Sequence, residues 1–418
     1  MRKSAPSKQA QLKIALLITE LQMGGAAKVV RDHAAAFRNF ADVREIVFNR
    51  ADGIDFEGEH VVSLEVPGGG GLVKRLSNFM RRVIRYGRFK DEWKPDVSIA
   101  HLEGAHYVDL LSRRGEKNIL VMHGSIDHNR DFAGVNGWVR RRLLMPLAFR
   151  AADAIVAVSR GIAAEIASME LANVRVINNF FDSAVLASLA AEPLGVDHRQ
   201  IFGSDVPVIV SMGRLAPEKN LGSLLGIFAS VRARRSVRLL LIGDGPQRGA
   251  LIERAIALGL TVSSPWTGLN QAADVHFVGN QSNPFALMAR STIFAMPSRW
   301  EGFPLALCEA LACAIPVVAS DCPTGPREIL SPHSAIPTIP IVAPEAAPFG
   351  MLMPIPWESA TASVAWTSTL EKLLHDEEAR ARISEAGARR VRDLSITKVA
   401  PQWRALVEEL MASQTQKI

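Results

Sequence analysis

The sequence predicts an α/β protein in two successive halves, each a parallel sheet flanked by helices. Three observations carry this. The stretch Met296–Leu330 reads as one strand–loop–helix–strand unit: the apolar run Ser291–Met296 breaks at Pro297, and a helix follows over Leu305–Cys313. A second strand, Pro316–Ser320, then leads into the turn Pro323–Pro326. Similar short apolar runs, each ending in a glycine-rich or polar loop, recur along the chain. The pattern also restarts with the strong strand Pro207–Ser211, after a linker over Ala187–Asp205 that holds Pro193, Gly195 and Gly203. A chain of 418 residues is long enough for two or three domains with full cores.

In chain order, Lys13–Thr19 reads as a buried strand, Glu20–Gly25 as its loop and Ala26–Phe40 as a helix. A strand feeding a glycine loop at a helix N-terminus is a phosphate-cradle geometry. Gly24-Gly25-Ala26 nevertheless lacks the G-x-G-x-x-G dinucleotide fingerprint. Arg44–Phe48 and His60–Val66 read as strands, and Gly68–Gly71 as a flexible entry to a helix. Asp96–Ala100 ends at His101, and Asn118–Met122 ends at His123-Gly124-Ser125. A histidine at the carboxyl end of a parallel strand faces the ligand crevice of such a sheet. The strand Ala154–Val158, the helix Ile162–Ser168 and the segment Val174–Asn179 complete the first half.

In the second half, Pro207–Ser211 runs to Gly213 and Arg214, with Lys219 five residues after Arg214. Two cations on a loop at a strand's carboxyl end suit a diphosphate leaving group. Arg238–Ile242 runs into Gly243-Asp244-Gly245-Pro246, which mimics a dinucleotide turn, but Gly249 comes one residue late. Val275–Val278 ends at Gly279-Asn280-Gln281. After the Pro/Ala-rich segment Ser331–Pro348 come a strand at Gly350–Pro354 and helices over Ser363–His375, Glu377–Arg392 and Val399–Met411.

Composition narrows the class. A hydrophobic fraction of 48% with 22% charged residues is that of a soluble globular protein. Cys308, Cys313 and Cys322 are an odd, clustered set without matching histidines, which argues for structural thiols in a reducing compartment and against a zinc site. No stretch approaches the roughly 18 apolar residues of a transmembrane helix, and the N-terminal apolar run is too short for a signal peptide. The net charge of +6 is unevenly placed. Leu72–Lys90 carries seven Lys/Arg and no acid, with Leu72, Leu76, Phe79, Val83 and Tyr86 on one helical face. Trp138–Phe149 repeats the idea with Arg140, Arg141 and Arg142. Such helices suit an anionic membrane surface, or else pack on their sheet with a solvated basic flank. The expected location is cytoplasmic, peripheral on the inner face of the plasma membrane.

The chemistry of Met296–Leu330 lies in Glu301 and Glu309, with seven residues between them. Along a helix they stand roughly 10–12 Å apart, too far for the paired carboxylates of a glycosidase at roughly 5–9.5 Å. The spacing suits an elongated ligand gripped at two places. Between them, N–H groups of Gly302, Phe303 and Leu305 at the helix start, behind Pro304, are a natural diphosphate seat. The alternative is a buried structural unit with two solvated carboxylates.

These residues resemble glycosyltransferase family 4, retaining enzymes of the two-domain GT-B fold. The E-x7-E motif stands as Glu301-GFPLALC-Glu309, the G-R-x4-K motif as Gly213 to Lys219, and Gly24-Gly25 resembles the N-terminal loop that approaches the donor phosphates. Ala27 stands where that loop usually has Glu, and VINNFFD replaces the usual V-I-P-N-G-V-D. The resemblance is strong over Pro207–Leu330, moderate over Lys13–Ala26 and His123–Asp182, and weak between them. It implies two Rossmann-like α/β/α domains facing a cleft: an acceptor domain over 1–195 and a nucleotide-sugar domain over 200–395. The last helix, 399–415, crosses back onto the first domain.

By the same resemblance Glu301 and His123 contact the donor sugar, Glu309 the ribose, and Arg214 and Lys219 the diphosphate. The loop Gly279-Asn280 faces the nucleobase. The donor is a UDP- or GDP-linked sugar and no metal or other cofactor is expected, since no Asp-x-Asp occurs. The form CPTGPREIL at Cys322–Leu330 resembles a branch that extends lipid-linked saccharides, so the expected partners are a polyprenyl-diphosphate-linked acceptor and the membrane, with no nucleic acid. An NAD-dependent sugar dehydrogenase or epimerase, suggested by the strand–GDG turn, and a catalytically silent scaffold of the same fold remain as alternatives.

Overall fold

A computed structural model describes residues 11–21, 24–50, 60–128, 134–169, 171, 173–203, 205–270, 272–337, 339–356 and 359–415. Part of the expected loop Glu20–Gly25 therefore lies outside the described residues. The first half is built on seven strands: β1 (Leu12–Ile18), β2 (Ala41–Val47), β3 (Val61–Ser63), β4 (Val97–His101), β5 (Lys117–Met122), β6 (Ala154–Ala157) and β7 (Val174–Val176). They pair in the order β3-β2-β1-β4-β5-β6-β7, parallel throughout. Ile14–Leu17 at the centre of β1 are fully buried, as expected for a strand covered on both faces.

The second half carries β8 (Val208–Met212), β9 (Arg238–Ile242), β10 (Val262–Ser263), β11 (Val275–Gly279), β12 (Ile293–Met296), β13 (Val317–Ser320), β14 (Glu345–Ala347) and β15 (Gly350–Met353). Their order is β10-β11-β9-β8-β12-β13-β15-β14, parallel except for the β14–β15 hairpin. Strand order reverses between β1 and β4 in one sheet and between β8 and β12 in the other. The carboxyl ends at these switch points are where open α/β sheets hold ligands.

Several boundaries differ from the sequence reading. The strand expected over Val174–Asn179 stops at Val176, and two helices, Ser183–Ala191 and Val196–Arg199, cover about half of the linker. Asp182 caps the first of these, accepting from the N–H groups of Ala184 and Val185. Pro304 caps the helix Leu305–Ala312 rather than opening it. The last helix runs over Ile396–Thr415, and its Trp403 packs its ring against His33 and Phe37 of the first helix, Gly25–Phe37.

The basic helix extends over Leu72–Trp93 and departs most from expectation. It packs from Asn78 onward: Asn78 is buried, and Phe79, Val83, Phe89 and Trp93 lie against the core. Tyr86 is buried, and the Lys90 ammonium sits fully buried between Asp109 (2.8 Å) and Glu116 (2.6 Å). Leu72 (86% exposed), Val73, Leu76, Met80 and Ile84 face solvent. Met80 and Ile84 lie on the outward face of the packed part, and length explains the first turns. The helix has 22 residues, roughly 33 Å, whereas the five-residue β4 beneath spans about 17 Å. The first turns overhang the sheet and have nothing to pack against.

Candidate active site

The loops leaving β8 and β12 meet at the switch point of the second sheet. The β8 loop makes a 3-10 turn at Pro217–Lys219, and Asn220 takes a left-handed conformation (φ 53°). Its side-chain amide donates to the Pro297 carbonyl (3.1 Å), while the Arg299 N–H donates to Glu218 O (2.8 Å), so the two loops are tied together. This directs the Lys219 ammonium onto both oxygens of Glu301 at 2.7 and 2.8 Å; Ser298 Oγ donates to the same carboxylate at 2.7 Å. Burial opposes the charge on Lys219, but the attraction and hydrogen bonds of Glu301 prevail and its pKa is raised. Glu301, 9% exposed, is not the solvated carboxylate of the structural alternative. Arg214 on the same loop is exposed.

Past Glu301 the chain reaches Gly302, Phe303 and Pro304, and the helix from Leu305 begins without a side-chain cap. Uncapped N–H groups are the donors an anion takes up. One turn further, Glu309 is 4% exposed, and burial, opposed by Lys28 and reinforced by Asp32, pushes its carboxyl up to about 7. Lys28, from the first half, stands 3.8 Å away and is itself bonded to Asp32 at 2.8 Å. Gly24 and Gly25 open that same helix, and a side chain at either would meet open space. On the far side, β11 ends at Gly279 and the exposed Asn280; Gly213, Gly243 and Gly279 are linked by backbone hydrogen bonds of Gly213 N to Ile242 O and Gly243 N to Gly279 O.

Among the described residues, three contacts with the first half bear on this surface. A Cβ on Gly302 would lie 1.7 Å from the His123 carbonyl oxygen, so only glycine allows the two backbones to approach. Glu328 accepts from the N–H groups of Arg160 (2.7 Å) and Gly161 (2.9 Å), spanning the cleft to the start of the helix Arg160–Ala167. Lys28 facing Glu309 is the third. His123 itself, at the end of β5, bonds through Nε2 to Nδ1 of His101 (2.8 Å), and the His33 ring lies tilted against His101, 5.3 Å between centroids.

Sequence reasoning missed Lys28, Asp32, Glu328 and the His101–His123 bond. Lys28 did carry a signal, a cation near the positive end of a helix dipole, where a carboxylate is the usual choice. Among the described residues no group of three or more His, Cys, Asp or Glu is placed to hold a metal ion.

Burial holds His33 and His123 down at about 3 and His106 at about 4, against an ordinary 6.5. Between 6.5 and these values the unfolded chain takes up protons that the native rings refuse. Stability present above pH 6.5 is therefore lost as pH falls through this window. His33, 1% exposed, accounts for about 2 kcal/mol at pH 5. Urea melts at pH 7 and pH 5 check this: the midpoint drops at pH 5, and His33→Leu makes the drop smaller. An unchanged midpoint contradicts it.

Comparison with known proteins agrees with this architecture. Residues 206–348 match the family model described as glycosyl transferases group 1, and residues 23–185 match glycosyltransferase family 4. A glycosyltransferase of Methanocaldococcus jannaschii is 31% identical over 56% of this chain and 57% of its own length. An N-acetylgalactosaminyltransferase of Campylobacter jejuni, named as acting on an N-acetylgalactosamine–diacetylbacillosaminyl-diphospho-undecaprenol, is 25% identical over 76% of this chain and 83% of its own. The amylovoran glycosyltransferase of Erwinia amylovora is 32% identical over 31% of this chain. The chain spans about half or less of the length of the first and last of these. Sucrose-phosphate synthase of Thermosynechococcus elongatus superposes with a TM-score of 0.74 at 18% identity, over 96% of this chain and all of that one. Anabaena HepE in complex with UDP and glucose does so at 0.72 and 19%, over 95% of this chain and all of that one. At such identities the likeness is one of fold.

Proposed function

As the chain belongs to the glycosyltransferases of the family 4 and group 1 kind, built on the GT-B fold, we propose that it moves a hexose or N-acetylhexosamine, with retention, from a UDP- or GDP-linked sugar to a polyprenyl-diphosphate-linked saccharide in bacterial surface glycan assembly. The observation that carries this is the Lys219–Glu301 pair beside an uncapped helix N-terminus, with Glu309 buried one turn along. In this reading Lys219, Arg214 and the helix N–H groups take the diphosphate charge. Glu309 accepts from the ribose hydroxyls, and Glu301 and His123 hold the sugar. The acceptor hydroxyl attacks on the face the leaving group departs from and its proton passes to the donor phosphate, so no side-chain nucleophile is nominated. No metal or other cofactor is required.

The dehydrogenase alternative falls with the family assignment. The turn that suggested it is also closed: a Cβ on Gly245 would meet the Leu215 backbone at 2.6 Å, which leaves no seat for a pyrophosphate.

Two mutants test the two-ended grip. Glu309→Ala weakens nucleoside-diphosphate binding itself, read by calorimetry, whereas Glu301→Ala spares that binding and loses turnover. Equal losses of nucleotide affinity contradict the assignment.

The lipid-linked acceptor is favoured by the Campylobacter relative and by the overhanging helix. Leu72, Val73, Leu76, Met80 and Ile84 face solvent beside the exposed Lys74, Arg75, Arg81 and Arg88, and Trp138, Leu143, Leu144 and Leu147 are exposed on the second basic segment. Arg140 and Arg141 are neutralised by Glu103 and Asp127, whereas Arg82 and Arg85 bond only backbone carbonyls of Leu64, Val66 and neighbours and keep their charge, so the adsorbing charge falls to the helix Leu72–Trp93. No helix among the described residues is long and apolar enough to cross a membrane, and the proposed location is the inner face of the plasma membrane, held peripherally. Each Lys or Arg near an anionic surface adds about 1 kcal/mol. Reversing Lys74, Arg81 and Arg88 to Glu is expected to abolish sedimentation with anionic vesicles at low salt and leave nucleotide binding intact. Wild-type protein that ignores such vesicles contradicts the membrane reading.

A further inference from the structure

We infer that His101 is a positioning residue that sets which nitrogen of His123 carries its proton, so that His123 meets the donor sugar as an Nδ1–H donor; the sugar contact rests on the function proposed above. His101 ends β4 and pairs in register with Val121, and His123 lies two residues beyond Val121, on the same face of the sheet. The two rings therefore meet, His101 Nδ1 to His123 Nε2 at 2.8 Å. His101 is wholly buried and its Nε2 has no partner. His123 keeps partial exposure, where the Gly302 backbone closes on its carbonyl.

Burial, aided by neighbouring histidines, holds both rings neutral at physiological pH. A bond between two neutral imidazoles has one donor and one acceptor. If His123 gave the proton from Nε2, His101 would carry its own on Nε2, a buried N–H with no acceptor. If His101 gives it from Nδ1, only a bare lone pair is left without a partner on Nε2. The orphaned N–H is the rarer defect in folded proteins. The proton thus belongs on His101 Nδ1. His123 Nε2 is occupied as an acceptor, and its remaining proton sits on Nδ1. His123 then donates a hydrogen bond from Nδ1 and cannot draw a proton to that atom.

The test combines nitrogen resonances with two isosteres. In protein labelled with 15N-histidine, His123 is expected to show the Nδ1-protonated pattern. His101→Asn puts an amide N–H where Nδ1 was, and keeps the pattern and a near-wild-type kcat. His101→Asp offers only acceptors, drives the His123 proton to Nε2 and lowers kcat about 10- to 100-fold with the KM for nucleotide sugar little changed. An Nε2-protonated His123 in the wild-type protein overturns the inference, as do equal kcat losses in the Asn and Asp variants, which mark mere packing. His123→Ala separates the two readings. Undiminished turnover there sinks the sugar contact alone, and the resonances still decide the tautomer.

Discussion

Lys219→Ala is expected to lower kcat/KM at least about a hundredfold, in the range of 2.7–4 kcal/mol for a lost charge stabiliser. Two effects contribute, and they can be separated. The ammonium no longer meets the charge that builds on the leaving diphosphate. The Glu301 carboxylate also loses the cation that bonds both its oxygens, keeping only Ser298. Stranding one partner of a buried pair costs about 3–5 kcal/mol of stability, so a loss of turnover in the single variant mixes folding with chemistry. Lys219→Ala combined with Glu301→Gln removes the stranded charge. This pair is expected to regain most of the melting temperature and none of the turnover. Glu301→Gln alone is the reference: a double variant no slower than it would show that Lys219 serves only to hold Glu301.

Gly302→Ala is the second large effect, and it acts by displacement. The new methyl would lie 1.7 Å from the His123 carbonyl oxygen, well inside contact distance, and the obstacle is backbone that no rotamer change can clear. The halves must part by more than an ångström, and misplacement on that scale costs on the order of a hundredfold in rate. Nucleotide affinity is expected to hold, because Lys219, Glu309 and the helix N-terminus all lie on one side of the cleft. Stopped-flow turnover beside calorimetric nucleotide binding checks the split. A Gly302→Ala enzyme with wild-type kcat would mean that the halves never meet this closely during reaction.

Much of the architecture was legible because strand and helix periodicities are local. β1, β4, β5, β8, β9 and β12 fall within a residue or two of the apolar runs that announce them, and the loops bearing Lys219 and Glu301 end where expected. The misses that span the two halves share a cause. The Glu328 carboxylate finds its N–H partners 167 and 168 residues away, and Lys28 finds Glu309 only when the halves close. Nothing in the local pattern encodes such meetings. The exposed Leu72 and Leu76 are a different failure. A heptad-like face predicts what a helix can bury, and the length of the sheet beneath decides what it does bury.

The chain passes between the halves twice, once after β7 and again before the last helix. The passages lie side by side, with the Ile396 N–H donating to the Phe181 carbonyl (3.1 Å) and Phe181 bridging to Ser395. A single tether is a pivot about a point and permits tumbling in every direction. Two attachments define a line, and rotation about that line is the one soft motion left. Under the proposed function, opening of the cleft is expected to be a swing about that line, and severing the Phe181–Ile396 bond is expected to widen the swing without touching a ligand contact.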